Sequence, residues 1–203
     1  MLPADPRSVV LAQDFPAQAL PSARGGLSAM LLAGFLMSLL GAILPAWRYH
    51  IEANFALIGT YFLCQNAGII LGAVLWPRLN GVRGPSSGLM LGCWIAAAGL
   101  VALGVFSPPF HYAGRLGAFF VVGFGAGVIN TGAFHAVAPA YEHEPASTLS
   151  LSGVLFNLGA VGSVIIVALA YFAYPTQGIL VLMAAAPALA ALLYGRARRA
   201  IQQ

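Results

Sequence analysis

The sequence predicts an all-α integral membrane protein with six transmembrane helices. Hydrophobic residues make up 60% of the chain and charged residues only 7%, which leaves too little polar material to cover a water-soluble surface. The mean hydropathy is +0.88. The apolar residues also form continuous runs of about 20, the length a helix needs to cross the hydrocarbon core. None of these runs alternates with the period of two expected of a barrel strand. A helix satisfies its own backbone groups in lipid, so unbroken apolar runs read as spans.

Cutting the chain where charge, proline or polar clusters interrupt the runs gives spans at 27–47, 56–76, 88–106, 116–139, 148–172 and 178–194. The first carries Gly34, Ser38, Gly41 and Pro45 at helical spacing and ends in an expected kink before Trp47. On the second, Tyr61, Gln65, Gly68 and Gly72 share one side at the helical step of about 100° per residue. The third holds Cys93, which, like Cys64 in the second, reads as a small packing residue. Gly123, Gly125, Gly127, Asn130, Gly132 and His135 lie in the fourth, with Arg115 at its mouth. The fifth presents Ser150, Gly153 and Asn157 on one face, then Gly159 and Gly162. The sixth is short and leaves room for little tilt.

Residues 1–26 hold four prolines, two acids and no apolar core of the signal-peptide kind, and are expected to be a poorly ordered cytoplasmic tail. Residues 27–195 form the membrane domain and 196–203 a basic cytoplasmic tail. All nine basic residues are Arg and fall outside the expected spans, in the tails or the gaps between apolar runs. Seven of them (Arg7, Arg24, Arg78, Arg83, Arg196, Arg198 and Arg199) fall on one side of a six-span topology, against Arg48 and Arg115 on the other. The positive-inside rule then puts both termini in the cytoplasm. The basic pI near 9.4 reads as contact with lipid headgroups rather than nucleic acid. Trp47, Trp76 and Tyr194 are expected as interfacial anchors.

The four His residues lack metal-ligand spacing, no nucleophile elbow appears, and all five acids lie outside the spans. No metal, cofactor or enzymatic activity is expected. What needs a reason is the small and polar content inside the spans. Close helix packing is one account, with Gly34, Gly41, Gly72, Gly123, Gly127 and Gly153 as the packing glycines. A polar cavity crossed by a solute is the other, with Gln65, Asn130 and Asn157 converging near mid-membrane. Arg115 and His135 complete that set of path candidates. Arg115 either snorkels to headgroups or gives a solute path a positive charge.

Several of these runs resemble the amino-terminal six-helix half of major facilitator superfamily transporters. The resemblance covers 27–199 and rests on Leu44, Pro45 and Trp47 closing the first span, and on the 59–72 run leading to a basic loop. Gly123, Gly125, Gly127 and Asn130 are similar to the glycine-rich fourth helix of sugar-type members, and 149–163 to their fifth. In the loop after the second span Arg78 and Arg83 are present, but the family's usual Asp is missing, and the fifth span lacks the antiporter proline. Most members have twelve helices. The resemblance therefore implies half of that fold: a half-size transporter of a small solute, paired with itself or another six-helix chain in the bacterial cytoplasmic (inner) membrane. His135 is the one titratable group well inside a span, so facilitated diffusion or weak coupling through it is expected. The alternative is a non-transporting accessory or assembly subunit of a larger membrane complex.

Overall fold

In a computed structural model of the chain, each expected span is a helix. The structure describes residues 19–47, 55–80, 85–108, 112–143 and 145–201. Helix α1 is Ala19–Ile43, followed by a single 3₁₀ turn, Pro45–Trp47; α2 is Phe55–Asn80, α3 Pro85–Val105, α4 Tyr112–His143, α5 Pro145–Ala170 and α6 Thr176–Ile201. Each contains a stretch long and apolar enough to cross a bilayer. The chain is an all-α, multi-pass membrane protein.

Helices α2, α4 and α6 run past both ends of the expected spans, while α1, α3 and α5 start earlier than expected but end at Ile43, Val105 and Ala170, short of 47, 106 and 172. Helix α1 begins at Ala19, inside the stretch expected as a tail, with Pro21 in its first turn. A proline is tolerated there because the N–H it lacks would have had no helical partner. Helix α6 continues past Arg196 to Ile201. Pro77 and Pro187 lie inside α2 and α6.

Packing does not follow chain order. Helix α1 packs on α5 and α2 on α4, while α3 lies across α4 and α6, and α1 meets α4. The two exchanged pairs have the same construction. In α1–α5, a Cβ on Gly34 would overlap the carbonyl of Phe156, and one on Gly159 the carbonyl of Leu31. In α2–α4, Gly68 faces Phe120, Gly72 faces Phe124, Gly123 faces Gln65 and Gly127 faces Ile69, each against backbone. Only residues without a side chain allow helix backbones so close. Ser38 and Ser163 occupy the next turn of α1–α5 and share a 2.6 Å hydrogen bond.

These contacts reveal an internal repeat. Gly34 and Gly123 lie 89 residues apart, and the same shift pairs Leu27 with Leu116, Ala29 with Ala118 and Phe35 with Phe124. A shift of 91 pairs Asn66 with Asn157 and Gly68 with Gly159. Under it the Gly34–Gly159 crossing becomes the Gly123–Gly68 crossing. Units α1–α3 and α4–α6 thus exchange their second helices. Helices α1 and α4 run antiparallel, since Gly26 lies against Ala136 at one end and Trp47 against Arg115 at the other. The exchange is imperfect at the rim. Helix α3 packs closely on α4, whereas α6 meets α1 mainly where Tyr194 O–H reaches Ser28 and the Gly25 carbonyl.

Burial grades outward from this centre. In the apolar windows of α1 and α4, 61% of residues are buried, against 22% in α2 and α5. The latter two leave long apolar faces, with Leu63, Ile70 and Val74 on α2 and Val154, Leu158 and Val161 on α5.

Candidate functional site

A cleft opens where α1 and α5 begin and α4 ends. Helices α4 and α5 are nearly continuous in sequence but touch little. Between them and α1 lies a cavity of about 300 Å³ lined by Met30, Met37, Asn130, Phe134, Ser152, Gly153 and their neighbours. A second cavity of about 300 Å³ shares Phe134, Leu149 and Ser152 with it and continues toward Val137 and Thr148. The space beside Gly153 is open, for a Cβ there would meet nothing within 4 Å. The walls are mostly apolar, with the Asn130 amide and the buried Ser152 hydroxyl as polar points. Two thioethers, able to adapt their shape, complete the lining.

The five path candidates occupy different places. Asn130 lines the cleft. Asn157 is exposed on α5 and donates its amide N–H to the Gly153 carbonyl at 2.8 Å, one turn from the cleft wall. Gln65 is buried and turned the other way, donating to the α1 carbonyls of Leu36 and Met37 at 3.3 and 3.4 Å. His135 is exposed and stacks on Trp76, ring centres 6.0 Å apart and planes 12° from parallel. Arg115 stands at the start of α4, about four turns from Asn130 near the middle of the helix. Among the packing glycines, Gly34, Gly72, Gly123 and Gly127 meet neighbouring backbone, while Gly41 and Gly153, expected in the same role, face open space because no helix passes over them. Arg78 is exposed in the last turn of α2, where a cation complements the helix dipole. Arg83 lies outside the described residues.

The other end of the bundle is closed by aromatic rings. Trp47 packs edge-on against Tyr61 and Phe119, with ring centres 6.2 and 5.8 Å apart. Tyr61 also lies 5.2 Å from Phe119 and 5.5 Å from Tyr112, and the Tyr112 hydroxyl shares a hydrogen bond with Thr60. Arg115 sits over both Trp47 and Tyr61, 5.9 Å from each ring centre. Trp47, Trp76 and Tyr194, expected as interfacial anchors, are all buried instead. Trp76 fills the gap left by Gly88 and Gly132, and Tyr194 ties α6 to α1. Nothing in their own sequence neighbourhoods distinguishes these roles from anchoring.

The internal repeat relates the closed end to the open one. It carries Tyr61 onto Ser152, Phe119 onto Met30, Arg115 onto Gly26 and Trp47 onto Ala136. The matching contacts survive: Gly26 lies against Ala136, and Met30 and Ser152 face each other across the cleft. Met30 and Ser152 thus line the cleft where Phe119 and Tyr61 stand in the seal, and Gly26 and Ala136 meet at its end where Arg115 and Trp47 meet in the seal. The sequence signal for this was the pair of shifted identities, which a search for spans alone does not look for.

Among the described residues no three His, Cys, Asp or Glu side chains gather as a metal site. Scans against protein-family models and curated protein sequences find no match to this chain.

Proposed function

We propose that the chain is a half-size alternating-access transporter of major facilitator type, which moves a small solute once a second six-helix chain completes the path. The observation that carries this reading is the exchange of α2 and α5 between two three-helix units in matched register. Inverted three-plus-three repeats of this kind build each half of that superfamily, and the halves rock against one another around a midplane site. The apolar cleft and the aromatic seal lie toward opposite ends of this proposed half. With the termini in the cytoplasm by the arginine count, the cleft faces inward and the aromatic seal outward.

A second copy supplies the missing half. Helices α2 and α5 are the least buried, and each exposes an Asn at its midpoint, Asn66 and Asn157. Each amide satisfies only one N–H, on the carbonyl one turn back, at 2.8 Å. Free amide groups at mid-bilayer depth favour a protein partner over lipid. A twofold axis along the membrane normal preserves depth, so Asn66 of one copy meets Asn157 of the other, twice per dimer.

The test combines assembly and flux. In a Cys64→Ala/Cys93→Ala background, Asn66→Cys with Asn157→Cys is expected to cross-link into dimers in liposomes, and the uncross-linked protein is expected to be dimeric by native mass spectrometry in nanodiscs. Proteoliposomes are then screened for uptake with sugars, polyols and organic acids, where Asn130→Leu is expected to slow flux. A monomer without flux refutes the reading. A cross-linked dimer without flux, co-purifying in a larger complex, points instead to an accessory subunit.

A further inference from the structure

The aromatic seal contains more hydrogen-bond donors than it uses. The Trp47 indole N–H, the Tyr61 hydroxyl, and Nε and Nη1 of Arg115 are all buried without a partner. Arg115 itself is only 8% exposed. Its two aromatic neighbours stabilise a cation through their ring faces but offer no acceptor at those nitrogens. An unpaired buried guanidinium and two further unsatisfied donor groups together are expensive, and native interiors rarely leave such groups without a reason. No carboxylate of the chain lies inside a span. Glu142, at the far end of α4, is roughly 40 Å away along the helix axis, and Glu52 falls in the 48–54 segment, outside the described residues.

We infer that Trp47, Tyr61 and Arg115 form a binding site for an oxyanion, a carboxylate or phosphate group entering where α1 ends and α2 and α4 begin. The three side chains supply charge and donors with no carboxylate beside them among the described residues, and the aromatic walls exclude water, which strengthens both. Arg115 lies in the first turns of α4, whose dipole adds positive potential at the same point. The oxyanion comes either from a soluble organic acid or from a lipid headgroup. The site does not depend on transport, since it uses one chain and one end of the bundle.

Thermal unfolding of the full chain in phosphate-free maltoside micelles tests this. Sodium benzoate, acetate, inorganic phosphate and short-chain phosphatidylglycerol are titrated at constant ionic strength. An oxyanion is expected to raise Tm saturably. Arg115→Gln should weaken that response by about tenfold or more, as expected for loss of a charged hydrogen-bond partner, and Trp47→Phe and Tyr61→Phe by smaller factors. Arg115→Gln should also raise the anion-free Tm, because it removes an unpaired buried charge. A role as a cation–π brace alone predicts the opposite sign. Native mass spectrometry separates the sources: Arg115-dependent retention of phosphatidylglycerol marks a headgroup site, and displacement by benzoate alone marks a soluble acid. Equal Tm shifts in wild type and Arg115→Gln overturn the proposal, as does a response that appears only in Glu52→Gln, which would make Glu52 the partner of Arg115. A lower anion-free Tm in Arg115→Gln without any anion response overturns it too.

Discussion

Replacing Gly34 by Ala adds one methyl group at the tightest crossing in the bundle. The new Cβ would overlap the Phe156 carbonyl oxygen, with the carbonyl carbon at 2.7 Å and Cα at 3.1 Å. Ordinary carbon contacts begin near 3.5 Å, so the two backbones must part by about 1 Å, which forfeits a quarter to a half of the dispersion well along the seam. Neither atom belongs to a flexible side chain that could swing away. The separation also stretches the 2.6 Å bond between Ser38 and Ser163, worth about 0.6 kcal/mol in a bilayer. Overpacking of this kind costs about 1–3 kcal/mol, while Ala gains up to about 1 kcal/mol over Gly in a helix. The net expectation is about 2 kcal/mol of destabilisation.

The same methyl at Gly153 or Gly41 meets nothing within 4 Å, so only the helix-propensity gain of about 0.5–1 kcal/mol remains and the sign reverses. Reversible unfolding in mixed detergent micelles with increasing dodecyl sulfate reads both. Gly123→Ala, at the repeat-related crossing with Gln65 carbonyl carbon at 2.9 Å, should match Gly34→Ala within about 1 kcal/mol. If Gly34→Ala and Gly153→Ala move stability equally, the close-crossing account is refuted.

Three further outcomes follow from the geometry. A double-mutant cycle of Ser38→Ala and Ser163→Ala should show coupling of about 0.6 kcal/mol, with about 1.7 as the upper bound seen for such bonds in bilayers; additive unfolding energies would mean the 2.6 Å contact is not formed. Tyr194→Phe removes the bonds to Ser28 at 2.9 Å and Gly25 at 3.2 Å, and should lower stability by about 0.5–1.5 kcal/mol, read in the same micelle assay; no change would mean that α6 is held by apolar packing alone. Ser152→Tyr restores to the cleft the bulk its repeat partner Tyr61 gives the seal, and should slow labelling of Asn130→Cys by an aqueous maleimide in a background without native cysteines; unchanged labelling would mean that Ser152 does not face the route to Asn130.

The spans were legible because length and continuous apolarity are properties of a single helix. What each helix faces is not such a property. A helix that is hydrophobic all round gives no periodic sign of which stripe meets lipid and which meets protein, so Trp47, Trp76 and Tyr194 read as anchors although all three are buried. Gln65 and Asn130 shared a reading for the same reason, yet one amide grips α1 and the other lines the cleft. The glycine stripes marked close approach at Gly34, Gly72, Gly123 and Gly127, but composition cannot separate these from Gly41 and Gly153, whose meaning is open space. The exchange of α2 and α5 was written in sparse identities 89 and 91 residues apart, too few to notice without knowing which glycines meet.

An internally repeated bundle with identical halves would treat the two membrane faces alike, and a path between two such bundles would have no preferred state. This chain breaks the equivalence at a few positions: Trp47, Tyr61, Arg115 and Phe119 at one end answer to Ala136, Ser152, Gly26 and Met30 at the other. The ring contacts among Trp47, Tyr61 and Phe119 hold the sealed end together. The unpartnered donors beneath those rings oppose that cohesion, because each would gain a bond if the seal opened to water or an anion arrived. Large stabilising and destabilising terms thus sit on the same side chains. On the transport reading proposed above, an oxyanion that bonds these donors in only one state would shift the balance by its differential affinity for the two states.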